Sequence, residues 1–158
     1  MTEETSKPIP TALELRRFEQ SLPMLLMRSR EALMQHFRPR LRAHDLTEQQ
    51  WRILRVLAEF DNVDMLDLSI QCCIQPPSLS RTIPLLMQRG LVSRRHDDND
   101  QRRILVNLTD DGREQFRLMS IEMAAIYSRL ESMIGKQRMQ GIYTILNEMI
   151  TAVAEDQE

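Results

Sequence analysis

Apolar residues early in the chain recur at the helical period. Leu15, Phe18, Leu22 and Leu25, then Leu26, Leu33, Phe37 and Leu41, stand three, four or a multiple of one turn apart, which lines one face of an α-helix. Pro23 and Pro39 interrupt this run. Each lacks an amide hydrogen and crowds the preceding turn, so one or two kinks or breaks are expected instead of one straight helix. Before it, residues 1–10 are polar with two prolines and read as a loose arm, and Thr11 with Glu14 forms a candidate capping box.

A second helix is announced by Thr47-Glu48-Gln49-Gln50, another capping box, and should turn Trp51, Leu54, Leu57 and Ala58 inward as far as Phe60. Asp64 caps a short helix holding Leu66, Leu68 and Ile70, with Cys72-Cys73-Ile74 near its end. Gln75-Pro76-Pro77-Ser78 forces a turn. The helix that follows covers 78–88 and stops near Gly90, with Leu79, Ile83 and Leu86 buried and Ser78, Ser80, Arg81 and Thr82 available. Pro84 is out of place there, because it removes a bond to the Ser80 carbonyl.

The period then drops to two. Residues 91–95 and 103–108, with Ile104, Val106 and Leu108 inward, read as a hairpin around a polar loop. Thr109 caps a long helix in which Gly112 is tolerated, with a stripe of Phe116, Met119, Met123, Ile126, Leu130 and Met133. Beyond an interruption at Gly135, Met139, Ile142, Leu146, Met149 and Val153 continue the same spacing. The fold class is mainly α with a small β-hairpin: a winged helix-turn-helix with N- and C-terminal dimerisation helices, an intramolecular helical core being the other reading of those apolar stripes. The expected layout is an arm over 1–10, N-terminal helices over 11–45, a winged helix-turn-helix lobe over 46–112 and C-terminal helices over 113–158.

Charge sharpens this picture through its distribution. The 21 Lys and Arg nearly balance the 23 Asp and Glu. Between positions 81 and 103, however, stand six arginines against three aspartates, and between 119 and 158 three basic residues against six acidic ones. The basic excess therefore falls on the helix-turn-helix and hairpin, as duplex DNA requires. A recognition helix enters the major groove with short side chains that allow close approach and longer ones that reach base edges. Ser78, Ser80 and Arg81 suit that role, with Gln75 and Pro77 at the entry. Arg94, Arg95, Arg102 and Arg103 bracket the hairpin tip, where a narrow minor groove attracts guanidinium groups, and Asp100 is placed to orient one of them.

Other chemistry is scarce. His36, His44 and His96 are dispersed, no metal-spaced His/Cys set or glycine-rich phosphate cradle occurs, and no serine stands in a nucleophile elbow. Neither enzyme activity nor a cofactor or metal is expected. Cys72 and Cys73 are adjacent, a poor geometry for a disulfide, and read as reduced thiols of a cytoplasmic protein, with a redox switch as the alternative. No apolar run reaches the length of a membrane span, and the first residues lack a secretory pattern.

Several stretches carry a family resemblance: Ser29-Arg30-Glu31-Ala32-Leu33, Phe37-Arg38-Pro39, Leu46 through Leu54, Pro77-Ser78-Leu79-Ser80, Asn99-Asp100-Gln101-Arg102-Arg103 and Leu108-Thr109-Asp110-Asp111-Gly112. Together they resemble the MarR family of bacterial transcriptional regulators, and within it the branch that governs the homoprotocatechuate degradation operon. The resemblance implies a homodimer on a pseudo-palindromic operator, usually a repressor, often released by a small aromatic or phenolic acid. It implies recognition contacts for Ser78, Ser80 and Arg81, the principal wing contact for Arg102 and a positioning role for Asp100; Pro84 departs from the family pattern. It also implies an effector pocket beside the N-terminal helices. Candidates there are Arg30 or Arg55 for a carboxylate, Trp51 with Met27 or Phe37 as the ring wall, and Ser29 or His36 for polar contacts, although Trp51 serves equally as a core residue. Regulation of an efflux or stress operon, or a helical interaction module without specific DNA binding, are the competing readings.

Overall fold

A computed structural model describes residues 20–155; the proposed arm and the Thr11 capping box lie outside the described residues. Helix α1 (Leu22–Ala43) opens the described chain. Pro23 falls in its first turn, where the missing amide had no partner to lose. Pro39 lies inside it, and the helix continues across that residue, so no break occurs at either proline. The chain divides into two compact units at Arg38 and Pro39. In the first, Arg38 forks onto Glu31, with Nη2 donating to Oε2 at 2.6 Å, and this pairing holds the Glu31 carboxyl below the usual carboxylate range.

The second unit holds α2 (Glu48–Glu59), β1 (Val63–Asp64), α3 (Met65–Cys72), α4 (Pro76–Gln88), β2 (Val92–His96), β3 (Ile104–Leu108), α5 (Asp110–Ile134) and α6 (Lys136–Glu155). Helix α2 begins with both halves of the expected capping box, Gln50 N to Thr47 Oγ1 at 3.2 Å and Thr47 N to Gln50 Oε1 at 3.0 Å. Gln50 and Ile53 are buried along with Trp51, Leu54 and Leu57. Trp51 stacks on Phe116 of α5, ring centroids 5.3 Å apart, so the lone tryptophan joins α2 to α5 in the core.

The sheet is antiparallel with order β1-β3-β2. The short strand β1 was not legible as a strand, and it makes the hairpin part of a three-stranded sheet. With β3 central, Asp64 pairs with Leu105 and Val63 with Val106, and Leu105 is buried beside Val106 and Leu108. Simple alternation gives way on β3 to burial on both faces.

Helix α5 is capped by Thr109, whose Oγ1 accepts from Gly112 N at 3.0 Å and donates to Gly90 O at 2.5 Å. Gly112 is required here, not merely tolerated: a Cβ at this position would lie 2.0 Å from Leu91 O. Gly135, at φ +96°, separates α5 from α6 as expected. On these two helices Met119, Met123, Leu130 and Met139 are buried, whereas Ile121, Met133, Ile145 and Ile150 are each more than 60% exposed. Among the described residues these apolar side chains are left uncovered.

None of the described helices is long and apolar enough to cross a membrane.

Candidate nucleic-acid interface

Two short helices joined by a tight turn form the centre of the lobe. Asp64 starts α3 by accepting from Leu66 N at 2.8 Å. Cys73 ends it in the left-handed conformation at φ 48°, where Cys73 N reaches Ile70 O and Ile74 N reaches Ser69 O. This is a Schellman turn built without glycine, at a local cost on the order of 1 kcal/mol. Arg52 of α2 secures it, Nη1 donating to Cys72 O at 2.6 Å and Cys73 O at 3.3 Å, a cation on the electronegative end of a helix. Its Nε is buried without a partner among the described residues, so the two carbonyl bonds must offset that desolvation.

Helix α4 starts two residues on. Gln75 is its N-cap but spends no side-chain bond there, and Pro76 and Pro77 occupy the first positions, where their missing amides cost nothing. At the far end Gly90 N bonds Met87 O and Leu91 N bonds Leu86 O, with Gly90 at φ +71°, the glycine stop read from the sequence. Arg89 then binds back to Asp45 O at 2.6 Å and His44 O at 3.1 Å. The turn and the far end of the helix-turn-helix are thus each tied to α2 or its preceding loop by an arginine on backbone carbonyls.

Leu79, Ile83 and Leu86 are buried as expected. Thr82 is not available: it is buried, and its hydroxyl turns back to Ser78 O at 2.8 Å. Gln75, Pro77, Ser80 and Arg81 are exposed and Ser78 is half-buried. Despite Pro84, α4 runs as one helix from Pro76 to Gln88.

The wing arginines, grouped together by the sequence, fall into two sets. Arg103 Nε donates to Asp64 Oδ2 at 3.2 Å, and this bond raises the Arg103 pKa above its ordinary value. Arg95 Nη2 bonds Asn62 Oδ1 at 3.1 Å and Nη1 bonds Asp98 Oδ2 at 3.3 Å. These two hold the hairpin against the α2–α3 side of the lobe. Arg94 and Arg102 are exposed, and like Arg81 they make no side-chain hydrogen bond or ion pair with another described residue. Asp100 does not grip a guanidinium. Its Oδ1 accepts from Arg102 N at 3.0 Å, forming a local turn, so it positions Arg102 through the backbone. Of the six arginines between 81 and 103, three brace the protein and three are left for a partner.

Sequence reasoning missed the bracing roles of Arg52 and Arg89 and the Asn62–Asn107 pair, in which Asn62 N donates to Asn107 Oδ1 at 2.6 Å. Asn62, at φ 54°, carried the one available signal, since asparagine tolerates the left-handed region.

The effector candidates lie on two elements. Met27, Ser29 and Arg30 are exposed on α1, His36 is half-buried and Phe37 buried; Trp51 and Arg55 are on α2. Arg55 lines a shallow cleft of about 210 Å³ with Arg52, Val56, Glu59, Phe60 and Gln71. Cys72 is buried and Cys73 exposed, and burial pushes the Cys72 thiol up to about 11, the opposite of what a redox sensor needs. Among the described residues no group of three or more His, Cys, Asp or Glu could hold a metal ion.

A three-stranded wing, a braced helix-turn-helix and three exposed arginines with no partner among the described residues define a DNA-binding winged-helix transcriptional regulator. Comparison with known proteins agrees. The MarR family model matches residues 46–104. The homoprotocatechuate degradative operon repressor of Escherichia coli is 37% identical over 138 residues, covering 87% of this chain and 93% of the repressor. The HTH-type transcriptional regulator FarR of Neisseria gonorrhoeae is 39% identical over 129 residues, covering 82% of this chain and 88% of FarR. Among solved structures, NadR in complex with 4-hydroxyphenylacetate aligns with a TM-score of 0.74 at 39% identity, over 82% of this chain and 92% of NadR. The chain belongs to the MarR family.

Proposed function

We infer that the protein is a homodimeric, sequence-specific repressor of an operon for the breakdown of aromatic compounds, released from its operator by a small phenolic or aromatic acid. The observation that carries the DNA-binding part is the division of the arginines: Arg81, Arg94 and Arg102 are exposed with no partner among the described residues, while Arg89, Arg95 and Arg103 are committed to the protein. Three such exposed donors per chain suit phosphates and guanine edges. In this reading Ser78, Ser80 and Arg81 face bases, with Gln75 and Pro77 at the helix entry. Arg94 and Arg102 reach the backbone or minor groove, while Arg95, Arg103 and Asp100 shape the wing.

Dimerisation is supported by the uncovered apolar residues of α5 and α6 and by Leu22, Leu25 and Leu33 on α1, all exposed in the single chain. Two such sets meeting about a two-fold axis would remove this surface from water and hold two α4 helices at a fixed separation. In this reading the N-terminal and C-terminal helices are the dimerisation segments, and residues 46–112 the DNA-binding lobe.

The effector class is supported by the Escherichia coli relative, a repressor of a degradative operon, and by NadR, crystallised with 4-hydroxyphenylacetate. Arg30 or Arg55 takes the carboxylate, Trp51 with Met27 or Phe37 the ring, and Ser29 or His36 the hydroxyl. Release is a population shift. The acid lowers operator occupancy only by the ratio of its affinities for the DNA-fitting and non-fitting dimers, and a hundredfold ratio corresponds to about 2.7 kcal/mol.

Because Trp51 is the sole tryptophan, titrating the protein with 4-hydroxyphenylacetate while following its fluorescence tests the effector reading. A saturable change with matching loss of operator affinity is expected. No change in either signal, across a panel of hydroxylated aromatic acids, would remove the effector from the account while leaving the DNA-binding assignment standing.

A further inference from the structure

Pro84 lies inside α4, where it cannot bond to the Ser80 carbonyl, yet it is exposed and contributes nothing to the core. Proline is the least favourable residue in a helix interior, so nothing inside the lobe accounts for it. Leu85 beside it is 53% exposed. The same helix buries Leu79, Ile83 and Leu86 on its other side, so its apolar requirement is already met.

Helical spacing relates the two residues to the proposed base contacts. Pro84 stands four positions after Ser80, and Leu85 four after Arg81, so each lies one turn further along the same exposed face. That face runs from Pro77 through Ser80 and Arg81 to Pro84, Leu85 and Gln88, all exposed. A polar, cationic strip thus continues directly into an apolar one on a single helix. In a major groove the apolar group that a base pair displays is the C5 methyl of thymine. Phosphates, the other surface within reach, offer nothing to a leucine or a proline ring.

We propose that Pro84 and Leu85 are specificity-determining residues that contact thymine methyl groups in the major groove, one helical turn beyond the bases met by Ser80 and Arg81. The inference rests on α4 being the recognition helix. It also gives Pro84 a role: a local rule of helix stability is broken at the place where the helix meets its partner.

The test uses the full chain and a duplex that it selects from random sequence. Each thymidine of that duplex is replaced in turn by deoxyuridine, which removes the methyl group and leaves every hydrogen-bonding atom in place. Symmetric positions should emerge at which the replacement weakens binding by about fourfold per methyl, the effect of exposing one buried apolar carbon. Leu85→Ala and Pro84→Ala should each become indifferent to deoxyuridine at one of those positions while responding normally elsewhere, and Leu85→Met should keep the parent's sensitivity. Pro84→Ala should also melt at a higher temperature than the parent, because alanine restores the bond to Ser80; a purely structural role for Pro84 would not couple that gain to a loss of methyl discrimination. A parent protein indifferent to every replacement, or variants as sensitive as the parent throughout, would overturn the inference while leaving α4 as the recognition helix. Failure to select any duplex would overturn both.

Discussion

Replacing Gly112 by alanine should separate the wing from the helix that follows it. An added Cβ would stand 2.0 Å from Leu91 O, 2.9 Å from Leu91 C and 3.2 Å from Leu108 Cδ2. The first two are backbone atoms, so no side-chain rotation relieves the contact, and the chain must part by more than 1 Å, on the order of a third of a normal contact distance. That movement acts on the same carbonyl that accepts from Thr109 N at 3.2 Å and on the neighbouring bond from Thr109 Oγ1 to Gly90 O. Two hydrogen bonds at about 1 kcal/mol each and a weakened helix cap at about 1 kcal/mol give a loss of about 3 kcal/mol. For a chain of this size the melting temperature should fall by about 6–12 °C. Thermal unfolding followed by circular dichroism, at matched protein concentration because a dimer's stability depends on it, measures this directly. A Gly112→Ala protein that melts with the parent would refute the reasoning and mean that the β2 and α5 junction yields without cost.

Further outcomes follow from the same contacts. Asp64 uses Oδ1 to cap α3 and Oδ2 to hold Arg103, so Asp64→Asn should keep the cap and lose the ion pair. Asp64→Ala should lose both and be less stable than Asp64→Asn by about 1 kcal/mol in denaturant titration; equal stabilities would contradict the cap. Iodoacetamide at neutral pH should label Cys73 and spare Cys72, as read by mass spectrometry. The buried Cys72 thiol, raised from 9.0 to about 11, stays protonated in the folded state after the unfolded chain has begun to lose that proton. Its contribution to stability is therefore present below pH 9 and falls as pH rises from 9 to 11; Cys72→Ser should remove that part of the alkaline loss. Arg102→Ala should weaken operator binding and reduce the steepness of its salt dependence by about 2 for a dimer, one phosphate per subunit, with little change in base preference; an unchanged slope would show that Arg102 does not reach the backbone.

Much of the fold was legible because its signals are local. The Thr47 and Gln50 box, the caps at Asp64 and Thr109 and the stops at Gly90 and Gly135 each join residues within a few positions, and all appear where the chain places them. The buried side of α4 followed from periodicity for the same reason. What could not be read depends on partners distant in sequence. Whether a wing arginine faces outward is decided by Asn62 and Asp64, more than thirty positions away. The need for glycine at 112 is set by the Leu91 carbonyl, and the existence of β1 by its pairing with β3 some forty positions on. Thr82 was misjudged because its hydroxyl has a backbone acceptor one turn back, which allows a polar residue inside. Within the candidate site, residue types indicated which groups favour DNA, and the three-dimensional bracing indicated which of them remain to bind it.

The central claim is that two copies of α4 enter successive major grooves through the face bearing Ser80 and Arg81. Methylation protection at guanine N7, which lies in the major groove, tests it most directly on a duplex selected by the protein. The account predicts two clusters of protected guanines about 10 base pairs apart on one side of the helix, with protection at the guanine nearest each centre lost in Arg81→Ala. A single cluster, or a pattern identical in Arg81→Ala, would contradict it.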